Sequence, residues 1–172
     1  MVVLGVDPGV ATTGYGVIRQ DYDCIQPVAY GVIQTPASQS LPHRLQQLYR
    51  ELSQLISSYC PTEAAVEELF FAKNASTALT VGHARGTILL ALEDRQLPTY
   101  EYTPLQVKQA ITGYGRAAKE QVQEMVRLLL GLPEIPRPDD AQSLPRAIGL
   151  GRRHVSLEPS ALLGDLLSTD SP

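Results

Sequence analysis

The run Val2-Val3-Leu4-Gly5-Val6, followed at once by Asp7-Pro8-Gly9, constrains this chain more than any other segment. Five consecutive apolar residues ended by turn chemistry read as a strand buried on both faces, because a half-exposed strand would alternate. Proline fixes φ and glycine accepts a positive φ, so the chain turns sharply and leaves Asp7 at the strand's end. Gly14-Tyr15-Gly16-Val17-Ile18 is expected to return as a second strand, forming a hairpin with a longish loop. A third strand is expected over residues 28–34, ended by Pro36.

The periodicity then changes. Leu41, Leu45, Leu48, Leu52 and Leu55 recur at helical steps, with Ile56 widening the stripe, which predicts an amphipathic helix packed on a sheet. Ala64-Ala65-Val66 predicts a short buried strand that delivers Glu67 and Glu68 at its end. Asn74 suits the N-cap of a helix reaching about Asp94, whose one face carries only the small residues Ala75, Ala78, Gly82 and Gly86. Each helical glycine costs about 1 kcal/mol against alanine, so close backbone packing is the expected compensation. Residues 98–102 predict another strand, Thr103-Pro104 a cap and first helical residue, and Val122, Met125, Val126, Leu129 and Leu130 a last helix stopped by Gly131 and Pro133. Strands followed by alternating strand and helix predict an α/β fold, a mixed sheet flanked by helices. One domain is expected over residues 1–155, with a Ser/Pro/Leu-rich mobile tail over 156–172.

Composition narrows the function classes. The 172 residues are 44% hydrophobic and 19% charged, enough to bury a core, and no stretch approaches the roughly 18 apolar residues of a membrane span. Asp7 interrupts the N-terminal apolar run too early for a secretory leader. Two cysteines, Cys24 and Cys60, suit a reducing compartment, so a cytoplasmic protein is expected. A net charge of −4 excludes a globally basic nucleic-acid coat but permits a local basic groove. Residues 69–119 hold six cations (Lys73, Arg85, Arg95, Lys108, Arg116, Lys119) against three anions.

Acidic residues stand where strands end or a helix begins: Asp7, Glu67–Glu68 and Asp139–Asp140. Converging carboxylates repel one another, so such a cluster without a basic partner suits Mg²⁺ or Mn²⁺. Two ions about 4 Å apart would support phosphodiester hydrolysis. Each acid also has a plainer role, Asp7 as a turn residue and the pairs as solvated surface.

The motifs themselves resemble a known family. Gly5-Val6-Asp7-Pro8-Gly9, Thr13-Gly14-Tyr15-Gly16, Glu67-Glu68-Leu69-Phe70-Phe71-Ala72-Lys73-Asn74, Ala84-Arg85-Gly86, Gln106-Val107-Lys108-Gln109 and Lys119-Glu120-Gln121-Val122 are similar to the RuvC-type Holliday-junction resolvases. The resemblance covers roughly residues 2–154. It implies a ribonuclease-H-like fold, a homodimer, two Mg²⁺ ions per site with Mn²⁺ as a substitute, paired symmetric nicks in four-way DNA junctions, and cooperation with a branch-migration motor. It also implies that Asp7, Glu67 and Asp139 are catalytic, that Asp140 is a further metal ligand, and that Lys108 and Lys119 lie near the scissile phosphate. Phe70 is implied to meet unstacked bases, with Lys73 and Arg85 as further DNA contacts. Two departures stand out. The fourth carboxylate falls on Gln142, and Pro145 interrupts the last helix unless that helix begins near Ser143. A junction-binding relative with impaired cleavage is therefore the alternative. An actin-like phosphotransferase needs two lobes, and a ribosomal-RNA-processing nuclease would lack the Phe-x-Ala-Lys-Asn stretch.

Overall fold

The computed structural model describes residues 1–21, 24–68, 75–135 and 144–149, with side chains in the second helix described from Ala78 onward. Five strands, β1 (Val2–Asp7), β2 (Thr12–Asp21), β3 (Cys24–Gln34), β4 (Glu63–Glu67) and β5 (Thr99–Tyr102), form one sheet in the order β3-β2-β1-β4-β5. The β1–β2–β3 meander is antiparallel, whereas β4 and β5 run parallel to β1. The sheet is mixed, as expected. Helices α1 (Leu41–Tyr59) and α2 (Ala75–Glu93) supply the crossovers, and α3 (Pro104–Thr112) and α4 (Lys119–Leu130) follow β5.

Strand alternation divides the core in two. Leu4, Val6, Ala64 and Val66 point to one face and pack with Leu48, Leu52 and Ile56 of α1 and Ala84, Ile88 and Leu92 of α2. Val3, Ala65 and Tyr102 point to the other, against Val107 and Ile111 of α3, Val126 and Leu130 of α4, and Leu144, Ala147 and Ile148. Residues 144–149 are helical, and Pro145 lies second among the described residues of that segment. A Cβ built on Gly16 would meet Leu144 Cδ2 and N at 2.9 Å, so glycine lets this segment lie directly on β2.

Local chemistry accounts for the ends of the elements. Thr103 Oγ1 accepts from Gln106 N–H at 3.2 Å while Gln106 Oε1 accepts from Thr103 N–H at 2.9 Å, a complete capping box ahead of Pro104. Helix α4 ends at Gly131 in the left-handed region (φ 61°). The third strand begins four residues earlier than the sequence pattern indicates. Pro27 hides this extension, yet β3 is an edge strand and its pairing with β2 slips there, Val17 facing Ala29 and Ile18 facing Pro27.

At Gly86 the expected close packing is absent among the described residues. No heavy atom stands within 4 Å of a Cβ built on Gly86, and Leu79 and Leu90 beside it are exposed. The Asn74 cap and the 156–172 tail lie outside the described residues. No described helix is long and apolar enough to cross a membrane.

Candidate active site

Adjacent parallel strands bring two acids together. The β1–β4 register runs from Val3 opposite Glu63 to Val6 opposite Val66, so Asp7 and Glu67 are each the next residue and end neighbouring strands. Both fall on the same parity as Val3 and Ala65, and therefore on the sheet face covered by α3, α4 and residues 144–149. Glu68 takes the opposite parity and its N–H donates to the Tyr102 carbonyl at 2.9 Å. The carboxyl ends of parallel strands are where α/β sheets place ligands.

The loop after Asp7 is held firmly. Thr13, fully buried, donates its hydroxyl to the Gly9 carbonyl, and Thr35 donates to the Val10 carbonyl. Arg44 Nε in turn donates to Thr35 Oγ1 at 3.0 Å. A Cβ on Gly9 would collide with the Thr12 carbonyl oxygen, so the turn needs glycine for space.

One residue alters the electrostatics expected of this centre. Arg146 donates from Nη2 to Asp7 Oδ1 at 3.0 Å and forms an ion pair with Glu67 Oε2 through the same nitrogen. Its side chain is 7% exposed, against 23% for Asp7 and 22% for Glu67. Burial pushes the guanidinium below its ordinary pKa, and the Asp7 charge opposes that shift. The expectation of acids without a basic partner is thus corrected. The partner is separated from Asp7 by 139 positions, and no spacing rule reaches it. A lone cation between the apolar residues Leu144, Ala147 and Ile148 was the available signal.

The donor chemistry of two adjoining carboxylates suits a hard divalent ion. Their arrangement with Arg146 does not, because the guanidinium holds the cation position. Among the described residues no group of three ligating side chains comes together. Asp139, Asp140 and Gln142 lie outside the described residues, as do Phe70 and Lys73.

The remaining candidates divide by sheet face. Lys108, half-buried on α3, and Lys119, exposed at the start of α4, ride on helices packed against the face that carries the carboxylates. Among the described residues neither forms an ion pair with Asp7 or Glu67. Arg85 of α2 forms an ion pair with Glu101, which pairs with Val66 and so belongs to the opposite face. The structure does not bring Arg85 to the carboxylates.

Known proteins resemble this chain in sequence and fold. The family model described as crossover junction endodeoxyribonuclease RuvC matches residues 3–149. A protein of that name from Brevibacillus brevis is 51% identical over 155 residues, covering 90% of this chain and 92% of its own. Its counterpart from Rubrobacter xylanophilus is 57% identical over 140 residues, 81% of this chain and 78% of its own. Among solved structures, Thermus thermophilus RuvC in complex with Holliday junction substrate superposes with a TM-score of 0.86 at 35% identity, covering 91% of this chain and 96% of the other. The yeast mitochondrial Holliday junction resolvase Ydc2, at 16% identity and a TM-score of 0.65, shares the fold. With the family model matching residues 3–149, relatives more than 50% identical and the fold in agreement, this chain belongs to the crossover junction endodeoxyribonuclease RuvC family, with its ribonuclease-H-like fold.

Proposed function

We propose that the protein is a structure-selective endonuclease that resolves Holliday junctions by paired symmetric nicks in recombination and repair. The observation that carries this reading is the placement of Asp7 and Glu67 at the ends of neighbouring parallel strands on one sheet face. Family membership supports it. In this reading Asp7, Glu67 and Asp139 are the catalytic carboxylates, and Asp140 adds a metal ligand. Mg²⁺ (Mn²⁺ as a substitute) is the cation they would hold once Arg146 has yielded its place, and it would supply an activated water. Lys108 and Lys119 face the phosphate. Lys119 is the first residue of α4, where the helix dipole favours the same anion. Phe70 stacks on an unpaired base, and Lys73 and Arg85 add backbone contacts.

The homodimer belongs to the same proposal, through the stripe Leu79, Gly82, Gly86 and Leu90, which repeats at helical steps and has open space at Gly86. Cys24 and Cys60 are both free and exposed, which supports a cytoplasmic setting. Cooperation with a branch-migration motor rests on family membership alone.

A second reading, junction binding with impaired cleavage, is favoured by Arg146 between the acids. Nicking of a synthetic four-way junction against linear duplex, in Mg²⁺, Mn²⁺ or EDTA, separates the two. Paired incision of the junction alone, dependent on metal, is the expected result. Tight junction binding without nicking in either metal selects the second reading. Equal affinity for linear duplex, or a monomer by light scattering at micromolar concentration, counts against junction selectivity or the dimer respectively.

A further inference from the structure

Asp7 and Glu67 meet a guanidinium in the space that a hard cation would take. Arg146 reaches both carboxylates from one nitrogen and lies deeper than either of them. Its backbone is fixed. Leu144, Ala147 and Ile148 are fully buried in the core of that face, and Leu144 rests on Gly16. A guanidinium and a divalent ion compete for the same carboxylate lone pairs and repel each other at that distance. We propose that Arg146 is a resident counter-cation of the Asp7–Glu67 centre, which a divalent ion must displace, so that it sets the metal concentration at which the centre loads. This rests on reading Asp7 and Glu67 as metal-holding carboxylates.

Two properties follow. Arg146 offsets one of the two carboxylate charges and stands between them, so the folded chain does not need a metal ion to relieve their repulsion. Metal and Arg146 exclude one another, so removing the guanidinium tightens the metal; coupling of this kind is about 5–150-fold.

The test uses the full chain, without DNA, so its outcome is independent of nuclease activity. Mn²⁺ is titrated against wild type and Arg146→Met, with free Mn²⁺ read by electron paramagnetic resonance, and both proteins are melted in EDTA and in Mn²⁺. Arg146→Met is expected to bind Mn²⁺ about tenfold tighter or more. It should melt about 5–10 °C below wild type in EDTA and recover in Mn²⁺, while wild type melts alike in both. Folding of the variant only in Mn²⁺ would support the proposal equally, and if it folds in neither, Arg146→Gln takes its place. Equal Mn²⁺ affinity in the two proteins, abolished in both by Asp7→Asn, would overturn the counter-cation and leave the metal reading standing. Binding of Mn²⁺ by neither protein would overturn both. A wild-type chain that binds Mn²⁺ at micromolar concentration and gains stability from it overturns the counter-cation without any variant.

Discussion

The two faces of the sheet are built from the same strands and do different work. Against α1 and α2, β1 and β4 present Leu4, Val6, Ala64 and Val66, all apolar and fully buried or nearly so. On the other face the same two strands present Val3 and Ala65 and then end in Asp7 and Glu67. The first face is apolar along these strands; the second carries Glu63 where β4 begins and the pair Asp7 and Glu67 where both strands end. A one-residue slip in either strand would exchange the faces, so register in the core also fixes which acids meet. Stability and chemistry are thereby separable by parity, and each substitution below tests that separation.

Asp7→Asn should have the largest effect on activity. Removing the charge should cut junction nicking by about a thousandfold or more while leaving junction affinity unchanged or higher, because phosphate contacts elsewhere supply affinity. Gel-shift and nicking assays on the same protein decide it, and joint loss of binding and cleavage in a folded chain counts against the assignment. On the opposite face, Leu52→Ala should cost about 2–5 kcal/mol, since Leu52 is fully buried between α1 and the sheet. Urea unfolding measures the loss. Nicking per folded molecule should stay at the wild-type level, and a catalytic defect would show that the faces are coupled. The smallest effect is expected for Glu68→Gln, within about 0.5 kcal/mol and without a change in nicking, because Glu68 has the wrong parity. If Glu68 rather than Glu67 proves critical, the register assigned to β4 fails.

Most of the fold is legible in the sequence because its signals are local. The leucine steps of α1, the Thr103-Pro104 start of α3 and the Gly131 stop of α4 each carry their own physical cause. The early start of β3 is not legible, because proline is read as a breaker until the strand is known to lie on an edge. The site divides in the same way. Asp7 and Glu67 announce themselves at the ends of apolar runs, whereas Arg146 meets them only through the packing of Leu144 on Gly16, a contact between distant parts of the chain. Long-range ion pairs leave no periodic trace.

The slipped pairing at Pro27 reaches beyond strand assignment. An eleven-residue edge strand ordinarily offers a row of free amide and carbonyl groups to any extended segment that drifts past. In β3 the proline removes one donor and the slip between Val17 and Ile18 breaks the row's regularity. The opposite border, β5, is only four residues long. Neither border is suited to carry a continued sheet into another molecule. Edge-to-edge pairing with a second copy, strand-exchanged oligomers and fibrils are disfavoured by the shape of the sheet itself.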